Sequence, residues 1–153
     1  MHRCKSLFIV IILSASHPGC GVFDPDSDRR EDLREALRRW SSQDVDHYQY
    51  RFQRTGCECL AEWTRPYIVE VDGAQIIESR DAATGIPAPE SFQALTVANL
   101  FALISDAIER DAHVLSVVYD RRAGYPAVIV VDYDKQIADD EFTIYASDLF
   151  PLR

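Results

Sequence analysis

Cys57–Glu58–Cys59 is the most specific chemical pattern beyond the N-terminal segment. On a regular strand, residues two apart place their Cα atoms about 6.6 Å apart, with both side chains on one face. That is close to the upper limit of about 6.8 Å for a disulfide, so pairing needs a bulge or turn. Gly56 supplies the permissive backbone for one. The pair has two readings. As a local staple it closes a very small ring and constrains little chain. As a strained, reducible disulfide it would serve thiol exchange or sensing. The staple is preferred, because no Cys-x-x-Cys on a helix accompanies the pair, as a thioredoxin-like site would require. A metal centre would need further ligands, and His47 and His113 are the only imidazoles left beyond Cys20. No metal is expected.

Asp132, Asp134, Asp139, Asp140 and Glu141 form a second concentration of chemistry. Calcium takes such oxygens, but the spacing is not that of an EF-hand loop and lacks its central glycine. Turn residues and solvated strand ends are the commoner origin of such clusters. A third group is Asp120–Arg121–Arg122–Ala123–Gly124–Tyr125–Pro126, between two strong strand patterns. Gly124 fits a turn, and Tyr125–Pro126 forces an extended entry into the next strand. A rigid hairpin accounts for the segment. Arg121, Arg122 and Tyr125 also make it the best candidate for partner contact. No Ser/His/Asp or Cys/His set is legible, no catalytic residue can be nominated, and no cofactor is implied.

The elements that carry these groups follow from periodicity. Asp28, with Glu31 three residues on, predicts a helix start. Leu33, Ala36, Leu37 and Trp40 then give one apolar stripe, with the arginines falling mainly elsewhere. From His47 the period becomes two: Tyr48, Tyr50 and Phe52 alternate with polar residues, predicting a half-buried strand. Tyr67–Asp72 and Ala74–Arg80 are the next strands, and Asp72–Gly73 between them is a hairpin signal. A two-residue loop there pairs Val71 with Ala74 and Val69 with Ile76. Thr96 caps a second helix with the stripe Val97, Leu100, Phe101, Ile104 and Ile108. Three strands follow, over 113–120, 127–132 and 141–147. Val128–Val131 lacks alternation and predicts a central strand covered on both faces. The order α-β-β-β-α-β-β-β predicts an α+β domain, an antiparallel sheet with helices packed on it.

Ahead of that domain, Arg3 and Lys5 precede the apolar run 7–13, the pattern of a secretion signal. The run is too short for a membrane span, which needs about 20 apolar residues. Gly19–Cys20 resembles the lipobox of bacterial lipoproteins, although His17 and Pro18 depart from it. The expected organisation is a signal peptide over 1–19, a lipidated N-terminus and tether over 20–27, and one domain over 28–153. Two acyl chains on Cys20 would anchor stably where one would not. Gly21 in place of Asp leaves no inner-membrane retention signal, so an outer membrane is the expected destination where the cell has one. Export places Cys57 and Cys59 in an oxidising compartment, which favours a bonded pair.

The formal net charge is −9, and removing the leader takes away two basic residues. Nucleic acid needs a basic footprint, so this composition argues against it. It also argues against adhesion to anionic head groups, leaving the lipid on Cys20 as the membrane contact. A monomer is expected.

Several of these residues together resemble a family of uncharacterised bacterial secreted proteins and lipoproteins known only as a domain of unknown function. They are the Trp40 helix, Tyr48-x-Tyr50-x-Phe52, Cys57-x-Cys59, Val69-x-Val71-Asp72-Gly73, Leu100-Phe101, Val118-Tyr119-Asp120, Gly124-Tyr125-Pro126, and Asp132 with Asp139-Asp140-Glu141. The resemblance implies export and a single domain. It implies no activity.

The function expected is that of a non-enzymatic envelope lipoprotein that binds a protein or cell-wall component through its sheet or the 121–126 loop. A redox role for Cys57 and Cys59 and a calcium-dependent module are the alternatives.

Overall fold

The computed structural model describes residues 25–57, 60–137 and 140–152. Helix α1 (Pro25–Ser41) is followed by strands β1 (His47–Thr55), β2 (Tyr67–Asp72) and β3 (Gln75–Asp81). Helix α2 (Val97–Glu109) then leads to β4 (Val114–Tyr119), β5 (Pro126–Asp132) and β6 (Phe142–Pro151). The strands form one antiparallel sheet in the order β3-β2-β1-β6-β5-β4. The α+β class expected from the sequence is the class observed. Among the described residues no helix is long and apolar enough to cross a membrane.

The core lies between the helices and one face of the sheet. Tyr48, Tyr50 and Phe52 of β1 meet Tyr67, Val69 and Val71 of β2, with Ile144 and Ala146 of β6 and Ile129 and Val131 of β5 beside them. Above them sit Val97, Leu100, Phe101, Ile104 and Ile108 of α2, all buried as the stripe predicts. Each large apolar side chain removed from water contributes about 1.5–3 kcal/mol. Thr96 caps α2, and Asn99 completes a capping box by accepting from the Thr96 backbone N–H.

Several boundaries differ from expectation. α1 begins at Pro25, so residues 25–27, expected in the tether, belong to the helix. Proline is tolerated in a first helical turn, where its missing N–H has no intrahelical partner to lose. Arg29 pairs with Asp26 at 3.0 Å, Arg34 with Glu31, and Arg39 with Glu35, so the charged face holds itself together. Leu37 is 43% exposed, which reduces the buried stripe of α1 to Leu33, Ala36 and Trp40.

The β2–β3 turn is displaced by one residue. Gly73, at φ +58°, and Ala74 form it, and Asp72 pairs with Gln75 and Val71 with Ile76. A register shift between Glu70 and Val71 absorbs Ile77, which is 56% exposed. β5 also differs. Ile129 and Val131 are fully buried, but Val128 and Val130 on the other face are only half-buried. Both helices pack on the same side of the sheet, so that second face is open. β6 runs to Pro151 rather than ending at Ser147. It passes Asp148 at φ +53°, where the register against β1 shifts between Gln49 and Arg51.

Candidate functional site

The 120–126 segment predicted for partner contact is a tight hairpin docked on the end of α1. Asp120 organises it: its Oδ1 accepts from the backbone N–H of Arg122 (2.9 Å) and of Ala123 (2.6 Å). Asp120 N–H donates to Tyr125 O, and Gly124 N–H donates to Asp120 O. Gly124 sits at φ +87°, and a Cβ there would lie 2.6 Å from the Ala36 carbonyl oxygen and 2.9 Å from the Trp40 nitrogen. Only glycine permits both that conformation and that approach.

The three predicted contact residues separate in the fold. Arg121 and Arg122 are exposed, as a contact surface requires. Tyr125 is 8% exposed and belongs to the core. Its ring meets Trp40 edge-on at 6.3 Å, and Trp40 in turn meets Tyr48 at 5.6 Å. Burial, with the carboxylates of Asp120 and Asp148 nearby, pushes the Tyr125 phenol above its ordinary range, against a hydrogen bond with the Leu149 backbone. Tyr125 therefore shapes the surface from beneath rather than forming its tip.

What this hairpin borders is a cleft of about 460 Å³. Trp40, Gln43 and Val45 line one side, Asp120, Arg122, Ala123 and Tyr125 another, and Leu149, Phe150 and Pro151 the third. Phe150 is 60% exposed at its mouth. The β6 irregularity at Asp148 is what carries Leu149–Pro151 back alongside β1, where Pro151 pairs with Tyr48 and Phe150 with Gln49. An aromatic wall, a rim arginine and a rim carboxylate together favour an apolar or aromatic group carrying a polar or charged neighbour.

The open face of the sheet is a second surface. At one end it carries Val118 and Tyr145, 55% and 44% exposed, beside the half-buried Val128 and Val130. At the other end it is polar. His47 lies 2.8 Å from Glu70, Arg80 pairs with Glu78, and a cleft of about 330 Å³ is lined by Gln49, Ile68, Glu70, Glu78 and Arg80 with residues of the following loop.

The remaining predicted groups are placed as follows. Cys57 directly follows Gly56, whose φ of +80° takes the chain out of β1, as a turn before the cysteine pair requires. Cys57 is engaged rather than free. Cys59 lies outside the described residues, as do Cys20 and Asp139. In the acidic segment, Asp134 N–H donates to Asp140 Oδ2 (2.9 Å) and Gln136 N–H donates to Asp134 Oδ1 (2.9 Å). Among the described residues no group of three or more His, Cys, Asp or Glu side chains is arranged to hold a metal ion.

Three working groups escaped the sequence reading. Tyr48 accepts from Val97 N–H at 2.9 Å and Tyr50 donates to the Leu95 carbonyl, so two strand phenols hold the start of α2. Asp81 is buried in the β3–α2 connection. Its Oδ1 accepts from Ala83 N–H, Thr84 N–H and the Thr84 hydroxyl, and its Oδ2 pairs with Arg65 at 3.0 Å. Phe150 lies beyond the predicted end of its strand. The Asp81–Ala82–Ala83–Thr84 run carried a turn signal, but a long-range phenol hydrogen bond leaves no local trace.

A family model described as "Family of unknown function (DUF6174)" matches residues 32–151. No curated protein and no solved structure matches the chain.

Proposed function

The chain belongs to this family of unknown function, and since membership carries no activity we propose its role from its own residues. It is an exported cell-envelope lipoprotein, acylated on Cys20, whose domain binds a protein or cell-wall component without catalysing a reaction. The cleft bounded by Trp40, Arg122 and Phe150 carries this reading. It is concave, aromatic and rimmed by charge, and the hairpin that forms one wall is locked to α1 by Gly124. Rigid walls lower the entropy lost on binding.

The test is affinity capture from envelope extracts with the processed protein, compared with Phe150→Ala and Arg122→Glu. A partner that is retained by the parent and lost at least tenfold by both variants supports the cleft. Retention of nothing specific across a range of salt, or equal retention by both variants, sinks it. Mass spectrometry of the mature N-terminus tests the anchor separately: an unacylated Cys20, or cleavage elsewhere, removes the lipoprotein reading.

The positive φ at Gly56 supports a second reading, in which Cys57 and Cys59 form a disulfide that exchanges with thiols. Thiol labelling before and after mild reductant decides it. A pair that stays unlabelled is a structural staple.

A further inference from the structure

The two edges of the sheet are treated differently. The β3 edge is guarded. The chain after it folds back so that Ala88 N–H donates to Ser79 O and Asp81 N–H donates to Ile86 O, both at 2.8 Å, and Arg80 bridges Pro87. Glu78 and Arg80 add charge, and the register shift near Val71 distorts the strand. These are the devices by which natural sheets discourage edge pairing. The β4 edge has none of them along most of its length. Val114–Leu115–Ser116–Val117–Val118–Tyr119 contains no charge and no proline, and its register against β5 is regular up to Val118. Among the described residues no segment pairs with its outer side.

We propose that β4 is the self-association edge of this protein, pairing antiparallel with β4 of a second copy about Ser116. The geometry of the strand selects that register. His113 N–H donates to Tyr133 O across the β4–β5 ladder, so Leu115 and Val117 direct their backbone groups at β5. Val114, Ser116 and Val118 therefore direct theirs outward. Pairing Ser116 with Ser116 of the second copy sets Val114 opposite Val118 and Leu115 opposite Val117.

About six backbone hydrogen bonds close in this arrangement, and like faces stay together. The exposed Val114 and Val118 (38% and 55%) meet on the open face. The buried Leu115 meets Val117 on the helix face. The smallest side chain of the strand lies on the two-fold axis.

Charge names a second copy as the occupant. Antiparallel pairing sets the end of β4 in one copy beside its start in the other, so exposed Arg121 and exposed Asp111, each just outside the strand, fall at the same end of the junction, twice by symmetry. Beside the edge, the shallow cleft between α1 and β4 carries Asp32 and Glu35 together with Arg39. Glu35 there is paired with Arg39, which offsets part of the chain's acidity where the copies meet. Arg121, which the Trp40 cleft does not use, acquires a role here.

The test uses the protein as the cell processes it, purified in mild detergent, with size measured by light scattering over a concentration series. In place of the monomer expected from the sequence, a reversible dimer is expected, with Val118→Lys raising its Kd at least tenfold while circular dichroism is unchanged. Ser116→Cys is the independent arm. Paired residues in such a ladder sit about 5.5 Å apart, within disulfide reach. Oxidation should link this variant, but not the parent or Ile77→Cys on the β3 edge. A monomer throughout the series overturns the proposal. So does a dimer that survives Val118→Lys, or one that links through Ile77→Cys as readily as through Ser116→Cys.

Discussion

Gly124 and Tyr48 show how single atoms set the shape of this molecule. A methyl group at position 124 would press on the Ala36 carbonyl and the Trp40 nitrogen, both backbone atoms that cannot swing aside. Gly124→Ala combines that overlap with a left-handed φ, and should cost about 2–4 kcal/mol in chemical denaturation. A variant within about 0.5 kcal/mol of the parent would mean that the hairpin lifts off α1 freely. At Tyr48 the relevant atom is the hydroxyl oxygen, which accepts from the buried Val97 N–H. Tyr48→Phe strands that donor and should lower stability by about 1–3 kcal/mol. Exchange of the Val97 amide with deuterated solvent should accelerate in the same variant.

Asp81 adds a dependence on acid. Backbone hydrogen bonds from Thr84 and Ala83, with Arg65 beside it, hold its carboxyl below the usual range. A depressed folded pKa means that its contribution is fully present above the unfolded value and is lost as pH falls through the folded one. Denaturation midpoints measured from pH 6 down to pH 2 should therefore fall less steeply in Asp81→Asn than in the parent. Equal slopes would show that the carboxylate charge plays no part in holding the 81–87 loop.

Elements were legible in proportion to how local their causes are. α2 could be read almost to the residue because its cap, Thr96, and its five-residue stripe are contiguous signals. α1 was misplaced at its start, because Pro25 breaks a helix only in the interior and here lies in the first turn. The β2–β3 turn was read one residue early. Asp72–Gly73 fits a type I′ turn by composition, but the register is decided by which residues face the core. Setting Val71 against Ile76 required one residue, Ile77, to leave the ladder.

Least legible was the central pairing of β1 with β6, which joins residues as distant in the chain as Tyr48 and Pro151. The candidate cleft depends on it. Trp40 and the 121–126 hairpin could be nominated from the sequence, whereas Phe150 and Pro151 come beside them only through that long-range pairing. Nothing in their own neighbourhood announces it.

At the scale of the whole molecule, stability on the alkaline side rests on buried phenols. Burial raises Tyr48, Tyr50, Tyr119 and Tyr125 above the ordinary value near 10, Tyr50 most securely because its surroundings are almost fully closed. For a raised folded pKa the contribution is complete below the unfolded value and disappears as pH climbs through the folded one. The protein should thus hold its fold to pH 10 and then unfold cooperatively, with phenolate absorbance and loss of near-ultraviolet dichroism appearing together. Phenolate absorbance that reaches its full extent while the dichroism persists would contradict this account of the core.

The one-sided placement of the helices has a further consequence. α1 starts in the helix layer, and the stretch from Cys20 to Pro25, even fully extended, reaches no more than about 18 Å. With acyl chains on Cys20, the domain would be moored with its helical side towards the bilayer and its bare strands turned outward. Two copies joined at β4 would share that orientation, because the two-fold axis of an edge-to-edge sheet runs perpendicular to it. Both moorings would then reach the same leaflet, and the pair would hold a single β-surface of twice the width, parallel to the membrane, facing whatever lies beyond.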